Sequence, residues 1–203
     1  MIICLVTDRR RADPVVQARL AIDAGIDLIQ IREHDLDGGP LSVLVRAVLD
    51  VTRGSRTRVV VNERLDVALA AGAAGVHLRG NSISIDDARR LMPRPLLVGR
   101  SIHSPDEATV AADADYVIAG TVFESESKPE STSLLGFDGL RAIVRATAVP
   151  VLAIGGVTVE RVDQIAASGA AGIAAIGLFA SAESLRDRVQ TLRSRFDSIK
   201  SAT

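Results

Sequence analysis

The sequence predicts an α/β fold, a single-domain (β/α)8 TIM barrel occupying residues 1–203. Three observations predict it. A unit recurs in which a helix end and a small residue precede a short apolar run. Such runs alternate along the chain with amphipathic stretches, and polar residues stand wherever a run ends. A chain of 203 residues is short for such a barrel but within its range.

The recurring unit is seen in Ala24–Gly25 before Leu28 to Ile31, Ala71 to Gly75 before Val76 to Leu78, Asp113 to Asp115 before Tyr116 to Ala119, and Ser168 to Gly172 before Ile173 to Ile176. Glycine just past a helix supplies a left-handed cap, and short, wholly apolar runs suit parallel strands covered on both faces. Taken in order, the strand at Ile2 to Val6 is followed by a helical stretch at Pro14 to Ala24 and the strand at Leu28 to Ile31. Leu41 to Thr52 has helical period, and Val59 to Val61 and Val76 to Leu78 read as strands. The helix at Ile85 to Leu91 precedes strands at Leu96 to Gly99 and Tyr116 to Ala119. Then come a helix at Gly139 to Thr147, a strand at Val151 to Ile154, a helix at Glu160 to Ser168, the strand at Ile173 to Ile176 and a helix at Glu183 to Phe196. An open doubly wound sheet would usually begin with a glycine-rich first turn, where this chain has Thr7, Asp8 and Arg9. The aperiodic stretch from Glu124 to Phe137, with Pro129, reads as a mobile loop of the kind that forms lids.

Composition narrows the function. Hydrophobic residues make up 47% of the chain and aromatics only 2%, so Val, Ile, Leu and Ala must fill the core. With 24 basic against 25 acidic residues, and Arg9 to Arg11 as the one basic run, a nucleic-acid footprint is not expected; a small ligand is. The lone Cys4 excludes a disulfide framework and a cysteine-rich metal site, which fits a cytoplasmic setting. No export signal and no membrane span are read, and a homodimer is allowed.

In such a barrel the chemistry gathers where the strands run out. Alternation on the second strand sends Gln30, Arg32 and His34 to one side and Ile29, Ile31 and Glu33 to the other. The guanidinium of Arg32 suits a phosphate or carboxylate ligand, with an ion pair to Glu33 or Asp8 as the competing role. Gly155–Gly156, before a helix expected near Val159, and Gly177 after the last strand lie where barrels bind phosphate, because glycine admits a close approach to backbone N–H groups. His34, His77 and His103 stand at three strand exits and are of the residue type expected to transfer protons near neutral pH, but lack the spacing of a metal site. Asn62, Glu63 and Ser101 close other strands, while Ser125, Ser127 and Lys128 place two hydroxyls and an ammonium together, a set suited to a diphosphate.

Several segments, in this order, resemble the superfamily of thiamine phosphate synthases and TenI-type thiazole tautomerases. They are Thr7–Asp8, Gln30 to Glu33, Val61 to Asp66, Gly75 to Leu78, Gly99 to Ser104, Asp115 to Val117, Val122–Phe123 and Ala153 to Gly156. The resemblance covers almost the whole chain. It implies an enzyme of thiamine biosynthesis in which Gly155, Gly156 and Gly177 hold thiazole phosphate. In the synthase branch a pyrimidine diphosphate is joined to thiazole phosphate with release of diphosphate. There Gln30, Arg32, Asn62, Ser127 and Lys128 would hold the diphosphate, His77 and the serines the substrates, and Glu63 a Mg²⁺. In the tautomerase branch a proton shuttle works without metal, and a third reading is a barrel that binds thiamine phosphates without turnover.

Departures from both branches matter. Synthases usually have Lys where His34 stands, an Asn-Asp pair where Asn62–Glu63 stand, and a second acid near Asn81 or Ser82. The missing carboxylate is expected to weaken Mg²⁺ binding. Tautomerases commonly have a catalytic His where this chain has Thr121, so His34, His77 or His103 would move the proton. The sequence therefore nominates Arg32, Lys128, His103 and His34 as catalytic.

Overall fold

A computed structural model describes residues 1–92, 96–124, 133–181 and 183–201. Eight parallel strands close in sequence order into a barrel: β1 (Ile2–Val6), β2 (Leu28–Ile31), β3 (Arg58–Asn62), β4 (Gly75–Leu78), β5 (Leu97–Ile102), β6 (Tyr116–Gly120), β7 (Val151–Ile154) and β8 (Gly172–Ala175). Around them run α1 (Pro14–Ala24), α2 (Gly38–Thr52), α3 (Leu65–Ala71), α4 (Ile85–Leu91), α5 (Pro105–Val110), α6 (Gly136–Ala146), α7 (Val162–Ala167) and α8 (Leu185–Ser201). A 3-10 turn, Gly177–Phe179, follows β8.

Two helices escape the reading by periodicity. α3 and α5 show no apolar stripe, since α3 is apolar at every position but Asp66 and α5 buries only Ala108. Their ends carry the signal instead. Ser104 accepts the Glu107 N–H at the start of α5, with Pro105 in the first turn, and Gly72 closes α3 in the left-handed conformation. β5 runs three residues beyond its apolar stretch because Arg100, Ser101 and Ile102 stay in register with Val117, Ile118 and Ala119 of β6.

Alternation divides the core. Cys4, Val6, Leu28, Val60, Tyr116, Ile118, Leu152 and Ala174 form one buried cluster. Their neighbours Ile3, Leu5, Ile29, Val59, Val61, Val117, Ala153 and Ile173 belong to the larger cluster that includes the helix faces. The period of two sends these sets to opposite faces of each strand, which places the first inside the barrel and the second beneath the helices. Within the barrel Tyr116 lies against Gly99, where any Cβ would collide with its ring and hydroxyl. Gly99 is therefore the residue that lets the one tyrosine of the chain cross the interior.

Candidate active site

The strand exits enclose one cavity of about 990 Å³, lined by residues from all eight β/α units. Gln30, Arg32, His34, Asn62, His77, Ser101, His103, Gly155, Gly156 and Gly177 all line it. Glu63 stands beside it. Ser125, Ser127 and Lys128 lie outside the described residues.

Beneath the mouth the polar side chains are paired across strands. Gln30 Nε2 donates to Asn62 Oδ1 at 2.9 Å, joining β2 to β3, while Gln30 Oε1 is buried with no partner among the described residues. His77 is buried, with Nε2 2.9 Å from Ser101 Oγ and Nδ1 3.2 Å from the Tyr116 hydroxyl, whose ring stacks on it at 5.6 Å between centroids. Burial, helped by the charges of Arg100 and Arg32, pulls the His77 pKa down to about 3. A neutral His77 orients hydrogen bonds and does not act as an acid at pH 7.

The other histidines differ. Burial, then the charges of Arg32 and Arg79, lowers the His34 pKa, so it too is neutral at pH 7. His103 Nδ1 lies 2.5 Å from the Gly120 carbonyl, which can only accept; Nδ1 therefore carries the hydrogen, and Nε2 is the atom left for a ligand.

Arg32 is half-buried, and neither acid that could neutralise it is free. Glu33, on the opposite side of the strand, accepts from Thr7 Oγ1 at 2.5 Å and from the Arg9 N–H at 3.0 and 3.2 Å. Asp8 is held by Arg10 at 2.8 Å and Arg11 at 3.8 Å, and the Arg10 contact keeps its pKa below the ordinary carboxylate value. The structure thus gives Arg32 no side-chain partner among the described residues, in place of the ion pair that its neighbours in sequence offered. A half-buried cation without a partner is costly unless a ligand supplies the anion.

Across the cavity Gly155 and Gly156 have φ of 98° and 60°. A Cβ on Gly156 would run into the Glu124 carbonyl. The turn is fastened from both sides, by Phe123 N–H donating to the Gly155 carbonyl at 3.1 Å and Arg161 Nη1 donating to the Gly156 carbonyl at 2.8 Å. Arg161 also lies 4.8 Å over the Phe123 ring. Both glycine carbonyls are occupied, while their N–H groups have no partner among the described residues, which is the polarity an anion requires. One expectation is corrected: the following helix begins at Val162, not near Val159, so the N–H groups of Gly155 and Gly156 belong to the loop and not to a helix start.

Among the described residues the structure does not assemble a cation site. No three of His, Cys, Asp and Glu come together. Glu63 Oε1 accepts the Arg79 N–H at 2.5 Å, and Oε2 lies 3.3 Å from Arg79 Nε. The carboxylate expected to hold Mg²⁺ is thus already matched by a guanidinium. Magnesium needs oxygen donors in near-octahedral array, and this donor set does not fit it.

The sequence reading missed Tyr116, Arg161 and the lining role of Arg10 and Arg11. Tyr116 could have been noticed as the one tyrosine in a chain so poor in aromatics, and Arg161 as a cation five residues beyond a glycine turn.

A family model described as thiamine monophosphate synthase matches residues 3–179. The chain belongs to that family. The thiamine-phosphate synthase of Methanoregula boonei is 42% identical over 188 residues, covering 88% of this chain and 87% of that protein. The Pyrococcus abyssi protein of the same name is 35% identical over 191 residues, covering 93% and 91%. Among solved structures, thiamine phosphate pyrophosphorylase from Pyrococcus furiosus superposes with a TM-score of 0.86 at 31% identity, covering 98% of this chain and 96% of that one. Synthase relatives thus carry the same barrel around these strand exits. No helix among the described residues is long and apolar enough to cross a membrane.

Proposed function

We propose that this member of the thiamine monophosphate synthase family joins a pyrimidine diphosphate to thiazole phosphate. The carrying observation is one cavity with the Arg32 guanidinium on one side and the N–H groups of Gly155 and Gly156 on the other, all without partners among the described residues. Two anionic ends can then be held at once, which aligns the reactants and lowers the entropic part of the barrier.

In the reaction the methylene–oxygen bond of the pyrimidine breaks and its electron pair leaves on diphosphate. The thiazole nitrogen lone pair then forms the new carbon–nitrogen bond. No proton is transferred, so the neutral His77 is no obstacle. Arg32 faces the growing charge on the leaving group, a fixed cation in a partly dry site. Gln30 and Asn62, which the resemblance puts on the diphosphate, are bonded to each other and lie at its pyrimidine end, with Gln30 Oε1, unpartnered among the described residues, able to accept from an amine. Ser101, braced by His77 and Tyr116, offers its hydroxyl beside them. Gly177 joins Gly155 and Gly156 on the thiazole phosphate. Ser125, Ser127 and Lys128 complete the diphosphate site in this reading, on the strength of their sequence pattern. Mg²⁺, implied by the synthase resemblance, enters no step here because Glu63 is matched by Arg79.

A tautomerase reading has one observation in its favour, the fixed tautomer of His103 with Nε2 left for a ligand. Purified protein given pyrimidine diphosphate and thiazole phosphate separates the two. Release of diphosphate with formation of thiamine phosphate is expected. Isomerisation of a thiazole carboxylate phosphate that is lost in His103→Ala, without diphosphate release, would replace the synthase reading.

A further inference from the structure

Three of the acids around the cavity are committed to neighbours, and Glu124 also lines it. Asp8 holds Arg10 and Arg11, Glu107 accepts the His103 N–H at 2.7 Å, and Glu63 is matched by Arg79. In the Glu63–Arg79 pair the carboxylate takes both the backbone N–H and the guanidinium of one residue, as Asp8 does with Arg10. Glu63 does so from φ 62°, a conformation uncommon outside glycine. Its carboxylate thereby fixes Arg79 at the exit of β4. The terminal nitrogens of Arg79 have no acceptor among the described residues.

Arg32 faces the same space from β2. Besides burial and neighbouring acids, the positive field of Arg79 acts on both Arg32 and His34, so the two guanidinium groups share one electrostatic environment. Among the described residues no carboxylate pairs with Arg32, so there the repulsion between the two cations stands until an anion arrives.

We propose that Arg79, oriented by Glu63, acts with Arg32 as the charge that a divalent cation would otherwise place against diphosphate, so that this chain binds the anion without metal. The inference rests on the synthase reading of the site. Two guanidinium forks bring two positive charges, matching Mg²⁺ in number, and their planar donors suit pairs of phosphoryl oxygens. Glu63, already accepting the Arg79 N–H and paired with its guanidinium, is a poor ligand for a hard cation, and Arg79 repels one. Glu63 is accordingly a positioning residue and Arg79 a diphosphate ligand.

Calorimetry with inorganic diphosphate tests this on the full chain, once in chelator and once with Mg²⁺. In chelator the parent is expected to bind, and Arg79→Ala to bind about tenfold or more weakly, the scale of one charge-assisted contact. Arg79→Lys should recover part of that loss. Glu63→Gln should weaken binding less than Arg79→Ala does, since the guanidinium remains. Adding Mg²⁺ should change the parent little but should strengthen binding to Arg79→Gly carrying Ser82→Asp, in which the cation is removed and an acid supplied. Binding by the parent only when Mg²⁺ is present would overturn the proposal, as would Arg79→Ala matching the parent in chelator. Arg79 is exposed, so its variants are expected to stay folded, which circular dichroism checks. Turnover is read separately. Absence of product in every buffer would sink the synthase reading, while diphosphate binding would still decide the role of Arg79.

Discussion

At the rim where the strands begin, Asp27 accepts the Ile3 N–H at 2.8 Å and pairs with Arg193 of α8 at 2.9 Å. Asp115 repeats the arrangement, with the Val98 N–H at 2.7 Å and Arg89 of α4 at 3.0 Å. Each carboxylate sits just before a strand, completes a neighbouring strand's ladder and ties a helix to it. At the rim where the strands end, Arg32 has no acid, and the N–H groups of Gly155 and Gly156 no acceptor, among the described residues. The same residue types thus close on themselves at one rim, while at the other Arg32 stays open beside the closed Asp8–Arg10 and Glu63–Arg79 pairs. Self-neutralised pairs contribute stability; open donors sacrifice some of it for a ligand.

Substitutions at the two rims should therefore have opposite signatures. The largest effect is expected for Arg32→Ala, a loss of about a hundred- to a thousandfold in turnover, as for deletion of one transition-state donor. Its melting temperature should not fall. Arg32→Lys should lose much of the ligand affinity with the charge retained, because the fork is missing. A folded Arg32→Ala with parental kinetics would place the open rim's purpose elsewhere.

A second effect is set by pH. Above about pH 6.5 His77 is neutral in both the folded and the unfolded chain. Below that value the unfolded chain gains a proton that the folded one, with a pKa of about 3, refuses. Stability is thus complete above pH 6.5 and drains away as pH falls towards 3, by about 3 kcal/mol at pH 4.5 from this group alone. Urea midpoints measured from pH 7 to 4.5 should fall less steeply for His77→Gln than for the parent. Parallel slopes would show that the buried histidine does not govern acid sensitivity.

At the closed rim Asp115→Ala should cost about 2 kcal/mol in urea unfolding, through the stranded Val98 N–H and the lost tie to Arg89. The KM for either substrate should stay parental. A raised KM with unchanged stability would erase the distinction between the rims. The smallest effect concerns the helical layer, where Gln17 of α1 is buried with neither amide atom partnered among the described residues. Gln17→Met keeps the length and removes the unmet polar groups, so it should add about 1 kcal/mol of stability. A destabilised Gln17→Met would show that the amide has a partner.

Much of the site was legible because strand exits in a barrel converge by topology. Once Gln30, Asn62, His77, Ser101 and Gly155 are read as exits, their meeting follows from closure, whatever loops intervene. Pairings were less legible. Asp8 and Glu33 are both candidate partners of Arg32, and it is Arg10 on Asp8, with Thr7 and the Arg9 N–H on Glu33, that leaves Arg32 without a partner among the described residues. Glu63 looked like a metal ligand until Arg79, sixteen residues on, met it across the rim.

The sequence by itself determined the alternation of strand and helix, the aliphatic interior and the glycine turns after β7 and β8, because these depend on residue period and backbone freedom. It did not determine α3 and α5, whose residues carry no apolar stripe of helical period. Nor did it determine which charges cancel. Ion pairing depends on distances of a few ångströms between side chains from different strands, and those distances exist only once the barrel has closed.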